Sequence, residues 1–139
     1  MLFYYGMMLF EGFGNFGLLV LRVFLGIIFV YHGMPKMRTP GAMGKGMGWS
    51  SGSVFFLGLV EFLSGLALIL GFYTEIGALL VGIVMLGAIY HKMFKWKIPF
   101  SAMDKSGWEF DLILLGSAVA VLFLGAGAFS LDDVLGIWP

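Results

Sequence analysis

Apolar positions along the chain gather into four long blocks, and the breaks between them fall at prolines, glycines and lysines. Phe16 to Met34 (FGLLVLRVFLGIIFVYHGM) is apolar apart from Arg22 and His32, and Pro35 closes it. Val54 to Phe72 carries only Glu61 as a charge. A turn around Tyr73, Thr74 and Glu75 leads into Ile76 to Phe94, apolar until His91 and Lys92, so the second and third blocks read as an antiparallel helical hairpin. Trp108 to Phe129 is the fourth, with Glu109 and Asp111 at its start. Each block approaches the roughly 20 helical residues that a bilayer core about 30 Å thick demands. The pattern predicts an all-α transmembrane four-helix bundle, with residues 1–139 forming a single membrane domain.

The segments between and beyond the blocks are short. Gly41 to Ser53 holds five glycines and little pattern, and reads as a flexible or re-entrant loop. The first fourteen residues, MLFYYGMMLFEGFG, lack a basic start and a small-residue cleavage site, so an interfacial or helix-extending segment is expected there. Ser130 followed three residues on by Asp133 is a capping-box pattern and predicts a short surface helix over 130–137, with Trp138 at the headgroup level.

Composition narrows the class. The 139 residues are 60% hydrophobic and 12% charged, about half the charge of an ordinary soluble domain. Their zero net charge offers no basic face for nucleic acid. With no cysteine there is no disulfide, thiol nucleophile, thiolate metal site or iron–sulfur cluster. Charge also sorts by side. Lys36, Arg38, Lys45, Lys92, Lys95, Lys97 and Lys105 belong to the first and third loops, whereas Glu11, Glu75, Asp132 and Asp133 fall on the other side. The positive-inside rule places those two loops in the cytoplasm and both termini outside, with the cell membrane as the location. Trp49, Trp96 and Trp108 fall on the cytoplasmic side, where an aromatic belt would lie.

The first block ends in YHGMPK (Tyr31 to Lys36) and the third in YHKMFK (Tyr90 to Lys95), and each is followed by a helix bearing Glu-Phe, Glu61-Phe62 and Glu109-Phe110. This suggests two duplicated hairpins about an axis along the membrane normal; coincidence in a biased composition is the other reading.

Ionisable groups at bilayer depth normally face the bundle interior and mark a site. With a rise of 1.5 Å per residue, His32, His91, Glu109 and Asp111 lie within roughly 5 Å of the cytoplasmic boundary, Glu61 roughly 10 Å in and Arg22 roughly 18 Å in. Arg22 with Glu61 is therefore the expected buried ion pair. Glu109 and Asp111 point about 200° apart on a helix, so only one is expected to face inward. Two histidines with carboxylates can also hold a metal, but no ExxH motif and no His pair at i, i+4 is present, and no metal site is expected. Haem would have to use the shallow His32 and His91, with no motif in support, and no flavin fingerprint is present. Gly41 to Gly48 matches no phosphate-binding motif. Gly58, Gly65 and Gly71, and Gly77, Gly82 and Gly87, read as close-packing positions between membrane helices.

Arg22 in LRVFLG, the YHGMPK end of the first helix and VEFLSGLALILGFYTEIGALL resemble the DoxX family of small four-helix membrane proteins over Leu18 to about His91, and more loosely into FSLDDVLG. The family's intramembrane Arg, the His after Tyr and the Glu of E-x-x-x-G correspond to Arg22, His32 and Glu61, with Gly65 as the glycine. Ser64 replaces the first glycine of a pair often seen there, and Glu75 stands where a basic residue is common. The resemblance implies kinship with the membrane subunit of thiosulfate:quinone oxidoreductase, an enzyme that also uses a second subunit.

A quinone site needs an apolar slot and groups that deliver protons to ring oxygens. His32 and His91 are the expected donors, Glu61 a proton relay, and Asp111 or Glu109 the partner that fixes a histidine's tautomer. Arg22 would stabilise developing negative charge, Lys36 and Lys95 would attract an anionic donor such as thiosulfate, and Tyr31 and Tyr90 complete the expected ligand contacts. The sequence contains no electron carrier, so electrons come from the substrate or from a soluble redox partner. Two other classes fit the same pattern: a non-catalytic anchor or assembly subunit of a redox complex, and a small carrier or lipid-binding protein. A bundle this small also suits self-association.

Overall fold

A computed structural model of the chain describes residues 10 and 12–137, and among these the structure is wholly helical. The elements are α1 (Gly14–Arg38), α2 (Pro40–Met47), α3 (Ser51–Leu70), α4 (Thr74–Tyr90) continued by a π-turn (His91–Lys95), α5 (Trp108–Leu124) and α6 (Leu131–Leu135). Among the described residues three helices are long and apolar enough to cross a membrane: α1 with 25 residues, α3 with 20, and α4 with its π-turn with 22. Helix α5 is equally apolar but has 17 residues, a length of about 25 Å.

Local chemistry sets these boundaries, and in several places it moves them from the expected ones. Pro35 does not end α1. It lies in the last turn, where it forfeits a single backbone bond, the one its amide would donate to the Tyr31 carbonyl, and its own carbonyl still accepts from the Thr39 amide at 2.9 Å. The glycine-rich stretch is not an irregular loop: Pro40 at the first turn and Gly48 in the left-handed region (φ 73°) frame the eight-residue α2. Ser50 caps α3 by accepting from the Ser53 amide at 3.3 Å. Helix α5 stops at Leu124 rather than running to Phe129, because Gly125 and Gly127 turn the backbone through φ of 77° and 81°. Ser130 caps α6 through the Asp133 amide at 3.2 Å, as the capping pattern predicts. Trp138 and the first nine residues lie outside the described residues.

Helix α1 lies antiparallel against α3, and α4 antiparallel against α5. The core of Leu25, Phe29, Leu68, Ala78, Val81, Leu114, Ala118 and Val121 fills the space between the two pairs. Many large apolar side chains point away from this core, among them Phe24, Ile27, Phe56, Leu79, Ile113 and Phe123. An apolar exterior around an apolar core is what a lipid environment selects.

The end that carries the α3–α4 turn is closed by polar bonds from α6. Asp132, 4% exposed, accepts from the Tyr73 and Thr74 amides at 2.7 and 2.9 Å, while its own amide donates to the Gly71 carbonyl at 2.8 Å. A carboxylate on the free amides at the N-terminus of α4 satisfies donors the helix cannot and complements its dipole. The surface helix expected at the C-terminus is thus docked, not merely laid at the interface. Asp132→Ala should lower stability by about 2 kcal/mol, and Asp132→Asn by less, since it keeps one acceptor; thermal unfolding in detergent micelles measures both.

Candidate functional site

The opposite end of the bundle, where α1 and α4 finish and α3 and α5 begin, encloses a cavity of about 390 Å³. Its walls are largely apolar: Ile28, Phe29, Leu57, Ile83, Val84, Met85 and Leu114 at the base, with Trp49, Trp96 and Phe110 nearer the mouth. Into this lining project His32 from α1, Glu61 from α3, His91 and Lys92 from the π-turn and Asp111 from α5. The four residues expected to carry chemistry therefore share one cavity.

Their charges are paired within each antiparallel couple. Lys36 of α1 donates to Glu61 Oε2 of α3 at 2.8 Å, and its ammonium also reaches the His32 carbonyl at 3.1 Å. Lys92 Nζ lies 2.6 Å from Asp111 Oδ2 across the second couple, a close ion contact outside hydrogen-bonding alignment. All four side chains are largely covered, with exposures of 12% and 6% in the first pair and 15% and 7% in the second. Lys36 and Lys92 carry two positive charges and Glu61 and Asp111 two negative ones, so the four groups sum to zero. A site of this kind suits an uncharged ligand with hydrogen-bonding groups, and offers no unneutralised cation among these four for an anion.

The pairing corrects two expectations. Arg22 and Glu61 do not meet. Arg22 is fully buried at the far end, where its guanidinium donates to the Leu68 carbonyl at 3.3 Å and the Phe129 carbonyl at 2.5 Å and feels the Asp132 carboxylate. Arg22 and His32, ten positions apart, are separated by about 15 Å along α1, so Arg22 takes no part in the cavity. The other expectation concerns the lysines. Lys36 is held by Glu61, and Lys95 is exposed and outside the cavity; Lys92, absent from the expected set, takes the inward place.

The remaining expected residues divide cleanly. Asp111 is buried and Glu109 exposed, which answers which of the two faces inward. Tyr31 and Tyr90 point away from the cavity, at 74% and 52% exposure, although each packs edge-on against its neighbouring histidine at 5.6 Å. Trp49 and Trp96 belong to the cavity wall as well as to the basic end: their rings lie 5.2 and 5.6 Å from that of His91. Gly87 is not a packing position, since nothing lies within 4 Å of where its Cβ would stand; its missing side chain widens the cavity.

An all-helical bundle with a lipid-suited exterior is a membrane protein, and this one holds at one end a largely apolar cavity into which paired charges project. The chain belongs to the DoxX family, which it matches over residues 17–95. It is 31% identical over 120 residues to "Putative oxidoreductase CatD" of Bacillus subtilis (strain 168), covering 84% of each chain. It is 28% identical over 125 residues to "Uncharacterized membrane protein Rv3486" of Mycobacterium tuberculosis (strain ATCC 25618 / H37Rv), covering 81% of this chain and 77% of that one. No solved structure matches the chain significantly.

Proposed function

We propose that the chain is a quinone-linked redox subunit of the cell membrane, and that the cavity between the two helix couples receives the quinone ring. The observation that carries this reading is the convergence of His32, Glu61, His91 and Asp111 on one apolar, aromatic-walled space. Its volume of about 390 Å³ falls in the range of small-molecule sites. Reduction of a quinone takes up two electrons and two protons. His32 and Glu61, on facing helices that both line the cavity, are the proton-bearing groups for one ring oxygen; His91 and Asp111, with Lys92, stand at the other. The relative named as an oxidoreductase supports the same class.

In this reading α5 is the fourth crossing, both termini lie outside, and the lysine-bearing end that contains the cavity faces the cytoplasm. Electrons enter from a donor that binds outside the cavity, because the cavity's own lysines are neutralised by Glu61 and Asp111. Thiosulfate or a similar small donor is one source. A soluble partner is the other, and Arg38, Lys45, Lys97 and Lys105, at the same end and outside the cavity lining, offer it a basic face. That face also supports a second reading, in which the chain anchors a redox complex without turning over itself.

Protein purified in mild detergent is expected to carry extractable quinone and to reduce added quinone with thiosulfate as the trial donor. His32→Ala and Glu61→Gln should each lower turnover by at least about tenfold while the protein remains folded, helical and inserted. Quinone-free protein that stays inactive yet co-purifies with a soluble redox protein favours the anchoring reading. Full activity in both variants removes the assignment.

A further inference from the structure

The π-turn fixes how His91 can meet a ligand. A π-turn closes its hydrogen bonds one residue further along than an α-turn, seen here in the Trp96 amide donating to the His91 carbonyl at 2.8 Å. At its start the His91 ring folds back on the preceding helix, and Nδ1 sits 2.8 Å from the Gly87 carbonyl oxygen. A carbonyl only accepts, so Nδ1 carries the hydrogen. In a neutral imidazole the other nitrogen, Nε2, then holds a lone pair and accepts. Nε2 has no hydrogen-bond partner among the described residues, and the ring lines the cavity.

Rotation of the ring to present Nδ1 instead is opposed from both sides. Trp49, which enters from the α2–α3 connection, packs at 5.2 Å with the planes 66° apart, and Trp96, which follows the π-turn, at 5.6 Å and 46°. Tyr90 closes a third side edge-on at 5.6 Å. The absence of a side chain at Gly87 leaves its carbonyl open to the imidazole. The tautomer is therefore built into the fold at a point where the helix departs from α geometry.

We propose that His91 Nε2 is the cavity acceptor left open where the Glu61 and Asp111 carboxylates are held by lysines, so that the site holds a hydroxyl-bearing aromatic ring, a hydroquinone, more tightly than the corresponding quinone, which has no hydrogen to donate. This rests on the quinone-type reading of the cavity and specifies which redox form it favours. The consequence is thermodynamic: holding the reduced form tenfold tighter raises the two-electron potential of the bound couple by about 30 mV, which draws electrons toward the quinone.

Titration calorimetry of the full chain in lipid nanodiscs with methylhydroquinone, methylbenzoquinone and the dimethyl ether of methylhydroquinone tests this directly. The hydroquinone is expected to bind about tenfold tighter than the other two, and His91→Phe, which keeps a ring between the two indoles, should bring all three to equal affinity. Nitrogen NMR of histidine-labelled wild-type protein should show a protonated Nδ1 and a bare Nε2 for the resonance that vanishes in His91→Phe, a readout that needs no ligand. Equal binding of the three probes to the wild type, a preference that survives in His91→Phe, or a protonated Nε2 in the free protein each overturns the proposal while leaving the cavity reading in place. Failure of all three probes to bind overturns both.

Discussion

Arg22→Met is expected to lower stability by about 3 kcal/mol and to loosen the C-terminal helix, without altering ligand affinity at the cavity in the protein that remains folded. The guanidinium has no solvent exposure and links three parts of the chain: α1 through its own backbone, the end of α3 through the Leu68 carbonyl, and the segment before α6 through the Phe129 carbonyl. Methionine fills much of the same volume but leaves both carbonyls without this donor and removes the positive charge opposite Asp132, a carboxylate whose own burial depends on compensation. Gly71 shows how closely the arginine is fitted, since a Cβ there would fall on the guanidinium and the backbone holds a φ of +66° that favours glycine. Arg22→Lys should recover only part of the loss, because an ammonium cannot present two parallel donors to carbonyls on different segments. Thermal unfolding in micelles reads the stability, and limited proteolysis after Leu124 reads the release of α6. A variant that melts like the wild type, with an equally protected C-terminus, would show that the buried arginine does not hold the two ends of the chain together.

The long apolar blocks, their order and their antiparallel succession were legible in the sequence, because a span of about 20 apolar residues has few alternatives. Legible too was the gathering of His32, Glu61, His91 and Asp111: depth along each helix follows from the rise per residue, and these four fall near the same end. What the sequence did not reveal was lateral pairing. Arg22 and Glu61 seemed matched by depth and sign, but α1 presents Arg22 toward the α3 C-terminus and presents Lys36, one turn past His32, toward Glu61. The YHGMPK and YHKMFK parallel misled in the same way. By position Lys95 answers to Lys36 and Glu109 to Glu61, yet Lys92 and Asp111 form the second pair: the π-turn changes the phase of the lysines after His91, and on α5 it is Asp111, two residues past Glu109, that faces inward. A π-turn leaves no plain mark on composition. The docking of α6 was half visible, as a capping pattern at Ser130 and Asp133; the cross-chain role of Asp132 depends on contacts that join residues 58 and 59 positions apart.

The other large effect should come from Gly65→Leu, which is expected to prevent stable assembly, with Gly65→Ala costing about 3 kcal/mol. Gly26 and Gly33 on α1 are seven residues apart, as are Gly58 and Gly65 on α3, so each pair forms a small-residue stripe on one helix face. The stripes meet antiparallel. A Cβ at Gly65 would lie 2.7 Å from the Gly26 carbonyl oxygen and 2.8 Å from the Val30 amide, and one at Gly33 would lie 2.6 Å from the Gly58 carbonyl oxygen. These neighbours are backbone atoms of a packed helix, which yield only if the helices move apart. Separation would reach the cavity as well, since Lys36 and Glu61 bridge the same two helices and Gly58 lies against Lys36. Gly82→Ala is the informative contrast. Its Cβ would find only Leu115 Cδ1, at 4.0 Å, so the gain of up to about 1 kcal/mol in helix propensity should leave that variant as stable as the wild type or more so. Unfolding in detergent micelles, read by circular dichroism, separates the two. If Gly65→Ala and Gly82→Ala shift the transition alike, close backbone approach between α1 and α3 is not what holds the first helix couple, and the geometry that brings Lys36 to Glu61 needs another cause.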